Sequence, residues 1–384
     1  MKKTDVCIIG AGASSLMCAC NISDKKIIII DKSDRLGKKI LVTGNGRCNL
    51  TNINIDSKKY NTDLVKSYFK RFSSSDTINF FNNLGLKTYN DEEGRVYPIS
   101  NTANSVLDVL RLKIEEKNIE YINNTIIIDV IKKNNLFYLT LSNNESIICE
   151  KLVIATGGNS NLDFLKNFKI PTFTFIASLG GLKTTKNKGL NNVKVPSTKV
   201  SLSDGSFEQV GEVLFKEEGI SGIVIFNLSA NLARKKDFNA QFSLDFLPNT
   251  DYNLLVKDLY TRKNLFSYRL CKDFLTGLFH KALNINILEK SRIDLNLPIS
   301  SLTHSNIISI ANNIKNYQIT SLDILDNNQV FSGGIPLKAL DENFMFKSIP
   351  NLYAIGEVLN VDAECGGFNL QWAWSSGYLC GKSI

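Results

Sequence analysis

Hydrophobic and polar positions along this chain alternate between two periods. Residues 6–9 (VCII) and 27–30 (IIII) are short, wholly apolar runs, and residues 12–21 between them carry helical spacing. Runs of that kind predict buried strands, so the first thirty residues predict a β-α-β unit ending at Asp31. Helical spacing recurs over 75–84 and 103–117. Strands are expected over 125–130 and 137–142, as a small antiparallel piece, and over 151–155, where a buried run stops at Thr156-Gly157-Gly158. Residues 43–51 (TGNGRCNLT) are too rich in Gly and Asn to be regular and read as a loop. From about Gly180 the texture changes. Short β-like runs at 199–202, 223–228 and 240–244 give way to helical spacing over 253–290 and 305–315. At Gln329 the pattern returns to a Gly-rich turn, Gly333-Gly334, and then to a last apolar run, 352–355, ending in Gly356-Glu357.

The two ends therefore carry one α/β pattern and the middle another. The expected organisation is a discontinuous nucleotide-binding domain, 1–180 with 329–384, split by an insertion at 181–328 that is β-rich over 182–250 and helical over 253–316. Each part falls within ordinary domain size. With 43% hydrophobic and 21% charged residues, disordered and fibrous classes drop out. The net charge of +8 comes from Lys spread among Asn and Ile. No Arg/Lys stripe interleaved with aromatics stands out, so a nucleic-acid partner is not expected. Eight Cys without a C-x-x-C pair or a neighbouring His argue against zinc, iron–sulfur and disulfide frameworks. Free thiols fit a reducing, cytoplasmic setting. The start, Met1-Lys2-Lys3 and an apolar stretch, resembles a leader, but Asp5 interrupts it and Gly10, Gly12 and Ser14 fall where a nucleotide turn needs them. No apolar run reaches the ~18–20 residues of a membrane span.

Gly10-Ala11-Gly12-Ala13-Ser14-Ser15 lies directly between a strand and a helix, the context that makes this pattern informative. Gly10 permits the tight turn, Gly12 lets the backbone approach a pyrophosphate, and the helix start at Ala13 and Ser14 supplies N–H groups. Ser15 replaces the usual third Gly and is small enough for helix–strand packing. Asp31 ends the second strand, where a carboxylate accepts ribose hydroxyls. This motif alone does not separate NAD from FAD.

Two later runs, Leu152–Gly158 and Leu352–Glu357, resemble the paired buried strands of FAD-binding proteins of the two-dinucleotide-fold type. In that pattern the acid after the last strand's Gly, here Glu357, meets the ribitol hydroxyls, and residues 366–370 reach the pyrimidine edge of the flavin. Gly37-Lys38-Lys39 and the string from Thr43 to Asn52 (TGNGRCNLTN), together with GRVYPIS at 94–100, GEVLF at 211–215, GISG at 219–222 and the C-terminal tail, are similar to a signature of the BaiN/YhiN-like flavoproteins, also known as aminoacetone-oxidase-like. The matches run nearly end to end. The resemblance implies a Rossmann-like FAD-binding domain split by an inserted β-rich domain with a helical segment. It also implies a cofactor-binding set of Gly10, Gly12, Ala13, Ser14, Asp31, Lys32, Lys39, Thr43, Gly44, Asn45, Gly46, Arg47, Cys48, Asn49, Thr156, Gly157, Gly356, Glu357, Gly367, Asn369 and Leu370. Arg47 and the loop's N–H groups would offset charge on reduced flavin. The chain departs from the family where residues 159–178 lack any Gly, where Lys216-Glu217 replaces Thr-His, where Ile223 replaces Pro, and where Asn360 replaces Asp.

Other chemistry is poorly supported. Residues 376–383 nearly make a phosphate loop but lack its first Gly. His280 and His304 have no motif-bearing partners, which disfavours a hydrolase triad. Cys48 and Cys365 belong to no C-x-x-C motif, and a thiol–flavin relay normally wants two neighbouring cysteines, so packing is favoured. Trp372 and Trp374, two apart, cannot share a helix face. No catalytic acid or base is assigned. The expectation is an FAD-dependent oxidoreductase passing hydride from NAD(P)H, bound transiently for want of a second fingerprint, to an unsaturated small molecule. The alternatives are an amine oxidase producing peroxide and a flavin-binding protein without turnover.

Overall fold

A computed structural model describes residues 1–185, 189–325 and 330–384. The chain divides into two compact units, Met1–Ile176 with Val330–Ile384, and Ala177–Gln329. The joint expected at Gln329 lies outside the described residues.

The first unit is organised by a seven-stranded sheet. Its order is Glu120–Ile122, Ile27–Ile30, Lys2–Ile9, Ser146–Ile154, Leu136–Leu141, Ile127–Lys133, with Leu352–Ala354 also pairing with Ser146–Ile154. Four pairings are parallel, and Val6 sits opposite both Ile27 and Lys151. The strand 146–154 is shared along one edge. Its first half pairs antiparallel with 136–141 and its second half parallel with 352–354. The expected small antiparallel piece is thus a continuation of the main sheet. Val6–Ile8 and Ile27–Ile30 are at most 3% exposed, which explains their unbroken apolar character. Each such side chain contributes about 1.5–3 kcal/mol of burial.

Helices Ala13–Asn21 and Phe368–Ser383 pack backbone to backbone. A Cβ at Gly377 would stand 2.4 Å from Ser14 O, and one at Gly381 2.5 Å from Cys18 O. Both tryptophans of the last helix are buried, because it has neighbours on every side. Trp372 Nε1 donates to Gly356 O at 3.2 Å and Trp374 Nε1 to Leu50 O at 2.8 Å.

The second unit contains a closed, all-antiparallel barrel of six strands: Leu182–Thr184, Gly219–Ser221, Glu208–Lys216, Lys194–Leu202, Gln241–Asp245 and Tyr317–Ile324. Closure leaves no free edge. Three expectations are corrected here. Residues 223–228 are not a strand but begin the helix Ile223–Lys235. The β-branched start suits a strand, but Val224, Ile225, Leu228 and Leu232 are buried at a spacing that serves one helix face, and that burial overrides local preference. The helical stretch 253–290 is two helices, Tyr252–Leu265 and Lys281–Lys290, separated by a short 3-10 turn at Cys271–Asp273. In the first unit, Gly333-Gly334 belongs to a strand, Val330–Gly334, and not to a turn.

Candidate functional site

The N-terminal turn is built by close approach. Gly10 has φ +105°, and a Cβ there would lie 2.3 Å from Ala155 O, so only glycine fits. Its N–H donates to Ile30 O at 2.7 Å, while Ala155 N–H donates to Ile9 O at 2.8 Å. These bonds gather three strand ends at one place. Gly12 caps the helix Ala13–Asn21 without any side-chain bond, and a Cβ on it would meet nothing within 4 Å. The first N–H groups of a helix have no acceptor within it and carry the positive end of its dipole. An uncovered helix start of this kind suits a pyrophosphate.

Asp31 holds the turn in place. Its Oδ2 accepts from Ala11 N–H and its Oδ1 from Ser33 N–H, both at 2.6 Å. A carboxylate offers about four acceptor positions, so two remain open to further donors. Lys32 beside it is exposed. Tyr121 donates to Ser33 O, and burial, reinforced by Asp31 and Asp34, pushes its hydroxyl up to about 12.

Strand ends far apart in sequence meet at Glu357. Its Oε2 pairs with Lys39 Nζ at 2.7 Å and its Oε1 accepts from Phe331 N–H at 2.9 Å. A Cβ on Gly158 would fall 2.9 Å from the same carboxylate, and one on Gly157 3.6 Å from it. Gly356 packs on the first helix, its Cβ position 2.3 Å from Ser14 Oγ, and its N–H donates to Ser376 Oγ at 3.0 Å. Thr156 Oγ1 is buried with no partner among the described residues.

The loop from Thr43 to Asn49 is a pair of tight turns. Gly44, Asn45, Gly46 and Cys48 all lie at positive φ. Thr43 Oγ1 donates to Ile40 O at 2.7 Å, and Cys48 N–H to Thr43 O at 3.0 Å. Arg47 projects outward with its guanidinium 4.6 Å from the Tyr97 ring centre. Cys48 is fully buried, and burial pushes its thiol up to about 12 against a weaker pull from Thr43, which disfavours the nucleophilic thiolate. Asn49 ties this loop to the tail: with its amide oriented so that both neighbours are satisfied, it donates to Thr51 O at 3.0 Å and accepts from Gly367 N–H at 3.1 Å. Gly367, at φ +94°, lies against Thr51 O, 2.5 Å from its Cβ position. Asn369 is spent within the tail, accepting from Ala363 N–H and donating to Ala363 O, each at 3.0 Å. Leu370 is half-buried against the core.

Phe331 and Ser376 escaped the sequence reading. Phe331 contributes a backbone N–H to Glu357, and Ser376 an ordinary helix hydroxyl, so neither has a sequence signal. The glycine-free segment also forms something unforeseen. Ser160, Lys166, Lys169, Ile170, Phe173 and Phe175 contribute to the lining of a cavity of about 410 Å³, and Ser160 Oγ donates to Thr156 O and Gly157 O at 2.9 and 2.8 Å.

The uncovered helix start, the spare acceptors of Asp31, the unpartnered Thr156 hydroxyl and the half-exposed Lys39–Glu357 pair fit a dinucleotide. Fold and relatives together define an FAD-dependent oxidoreductase with a Rossmann-like fold. The chain belongs to the HI0933-like family, for the model described as HI0933-like protein Rossmann domain matches residues 4–383. This agrees with the flavoprotein family expected from its motifs. It is similar, at 30% identity and with 98% of both chains covered, to the 3-dehydro-bile acid delta(4,6)-reductase of Clostridium scindens. At 27% identity, over 100% of this chain and 98% of the relative, it is similar to the ribosomal RNA dihydrouridine synthase of Escherichia coli. Among solved structures, 3-ketosteroid delta1-dehydrogenase from Sterolibacterium denitrificans matches with TM-score 0.51 and 12% identity, covering 100% of this chain and 99% of that one. At that identity the likeness is one of fold. No described helix is long and apolar enough to cross a membrane.

Proposed function

We propose that the enzyme uses NAD(P)H to saturate a carbon–carbon double bond conjugated to a carbonyl in a small molecule. The observation that carries this reading is the end-to-end similarity, at 30% identity, to a relative named as a delta(4,6)-reductase of a 3-dehydro bile acid. The residues proposed to hold FAD are the turn Gly10–Ser14, Asp31 with Lys32, the Lys39–Glu357 pair, the loop from Thr43 to Asn49, Thr156-Gly157, Gly356 and the tail from Gly367 to Leu370. FAD, when bound, supplies a two-electron hydride carrier. The chain's own contribution is placement and charge: the helix start and Asp31 orient, and Arg47 offers a fixed positive charge where negative charge develops. The sequence has one dinucleotide fingerprint, which supports a transient nicotinamide and no dedicated domain for it. The unit Ala177–Gln329 is proposed as the substrate domain.

A second reading places the conjugated carbonyl in a uracil of RNA. It is favoured by the name of the Escherichia coli relative, which matches this chain over its whole length. Anaerobic mixing of the purified yellow protein with NADH and NADPH tests the reductase reading, which expects the flavin to bleach with one of them. Bleaching by amines alone would replace it with the amine-oxidase reading. Steady turnover with any reductant–acceptor pair would eliminate a flavin-binding protein without catalysis.

A further inference from the structure

Residues 259–272, LYTRKNLFSYRLCK, contain Arg262, Lys263, Arg269 and Lys272 and no Asp or Glu. Residues 252–301 hold eight Lys or Arg against four Asp or Glu; the difference, +4, is half of the chain's +8. The whole-chain view of evenly spread Lys hides this concentration.

The structure turns the segment into a surface. Tyr268 is 75% exposed, Leu265 62% and Leu297 48%. The Arg269 guanidinium stands 4.5 Å from the Phe266 ring centre and 5.5 Å from that of Tyr268. Among the described residues no carboxylate pairs with Lys263, Arg269 or Lys272. The platform is firmly held. Arg262 donates to Phe274 O at 3.1 Å and Thr276 O at 2.7 Å, Arg269 N–H donates to Phe266 O at 2.9 Å, and Ile299 N–H to Arg269 O at 2.8 Å. Cys271, near the end of the segment, is fully buried. An exposed tyrosine ring beside an unpaired guanidinium adds nothing to the core of this unit, yet its backbone is fixed on both sides.

We propose that this face is a contact surface for single-stranded RNA, with Tyr268 stacking on a base and Lys263, Arg269 and Lys272 meeting phosphates. Unstacked bases bind to aromatic rings and guanidinium planes, and cationic side chains follow the backbone. An acidic peptide supplies charge but no plane for Tyr268. A bilayer surface needs a continuous apolar strip, and Asn264, Ser267 and Asn296 interrupt Leu265, Leu270 and Leu297. The choice of RNA over other single strands rests on the second reading above. Binding is measured without turnover, so the reductase chemistry and the surface fail separately.

The test is fluorescence anisotropy of a labelled oligouridylate with the full-length holoenzyme. Tyr268→Ala should weaken binding roughly five- to a hundredfold, whereas Tyr268→Phe, which keeps the ring, should bind like the unmodified protein. Replacing Arg269 and Lys272 together with Gln should make the slope of log affinity against log salt shallower by about 1.4, two phosphate contacts on a single strand. Equal binding by Tyr268→Ala at an unchanged melting temperature would overturn the proposal. So would binding of the unmodified protein to phosphatidylglycerol vesicles but not to the oligonucleotide.

Discussion

Replacing Glu357 with alanine removes two contacts at once, and the structure separates their sizes. The pair with Lys39 is short, 2.7 Å, but Lys39 is 46% exposed and Glu357 22%. Solvent screening therefore limits it to about 0.2–1 kcal/mol. The other contact, Phe331 N–H to Oε1 at 2.9 Å, is between groups closer to the interior, and losing its acceptor costs about 1–3 kcal/mol. Glu357→Gln keeps an acceptor for Phe331 and loses only the charge, so the apoprotein should be weakened by the smaller amount. If the carboxylate also accepts a cofactor hydroxyl, Glu357→Ala should weaken FAD retention by a further 1–3 kcal/mol or so, about 5- to 150-fold in Kd. Titrating each apoprotein with FAD and following quenching of flavin fluorescence gives the affinities, and the apoprotein's thermal midpoint gives the stability separately. An FAD affinity unchanged in Glu357→Ala, with the midpoint preserved, would remove Glu357 from the cofactor site and leave it a structural acceptor for Phe331.

Gly377→Ala gains about 1 kcal/mol of helix propensity but drives a methyl to 2.4 Å from Ser14 O; overpacking of about 1–3 kcal/mol should win, and calorimetry should show a lower midpoint and looser FAD. Gly10→Ala, strained by φ +105° as well as by the 2.3 Å contact, should give little folded protein in expression and solubility trials. Burial pushes the Cys20 and Cys48 thiols up to about 12. Between roughly pH 9 and 12 the unfolded chain has released protons that the native state keeps, so stability should fall as pH rises, by about 1.4 kcal/mol per pH unit for each thiol. Urea melts across that range should show the decline, and Cys48→Ala should flatten it. Seven of the eight thiols are buried and Cys365 is only partly so; native protein treated with iodoacetamide at neutral pH should react slowly there and hardly elsewhere, as mass spectrometry would reveal.

Much of the nucleotide half was legible. The IIII run is too apolar to be anything but a doubly covered strand, and a Gly-x-Gly turn directly after such a run has few other uses. The loop around Arg47 and the tail were found by resemblance to a family, because their individual residues obey no simple period. The insertion was read less well. Residues 223–228 look like a strand by local preference, and only the burial of one face by the barrel makes them a helix. The strand Tyr317–Ile324, which pairs with both Leu182–Thr184 and Gln241–Asp245, mixes polar and apolar residues and gave no signal, although the barrel closes through it.

The sequence by itself determined the β-α-β start, the glycine turn and the carboxylate at its second strand, because those features are local and each residue type is demanded by backbone geometry or charge; FAD in place of NAD came from resemblance to a family. Only the tertiary structure decided what those residues touch. Glu357 meets Lys39 across 318 positions, and Asn49 holds Gly367. Phe331 enters through a backbone N–H that no side chain announces. Long-range pairing follows from strand order and helix packing, which depend on the whole core and not on any window of the chain. The same holds on the second unit, where Ile299 N–H closes on Arg269 O and fixes the backbone beside the exposed Tyr268.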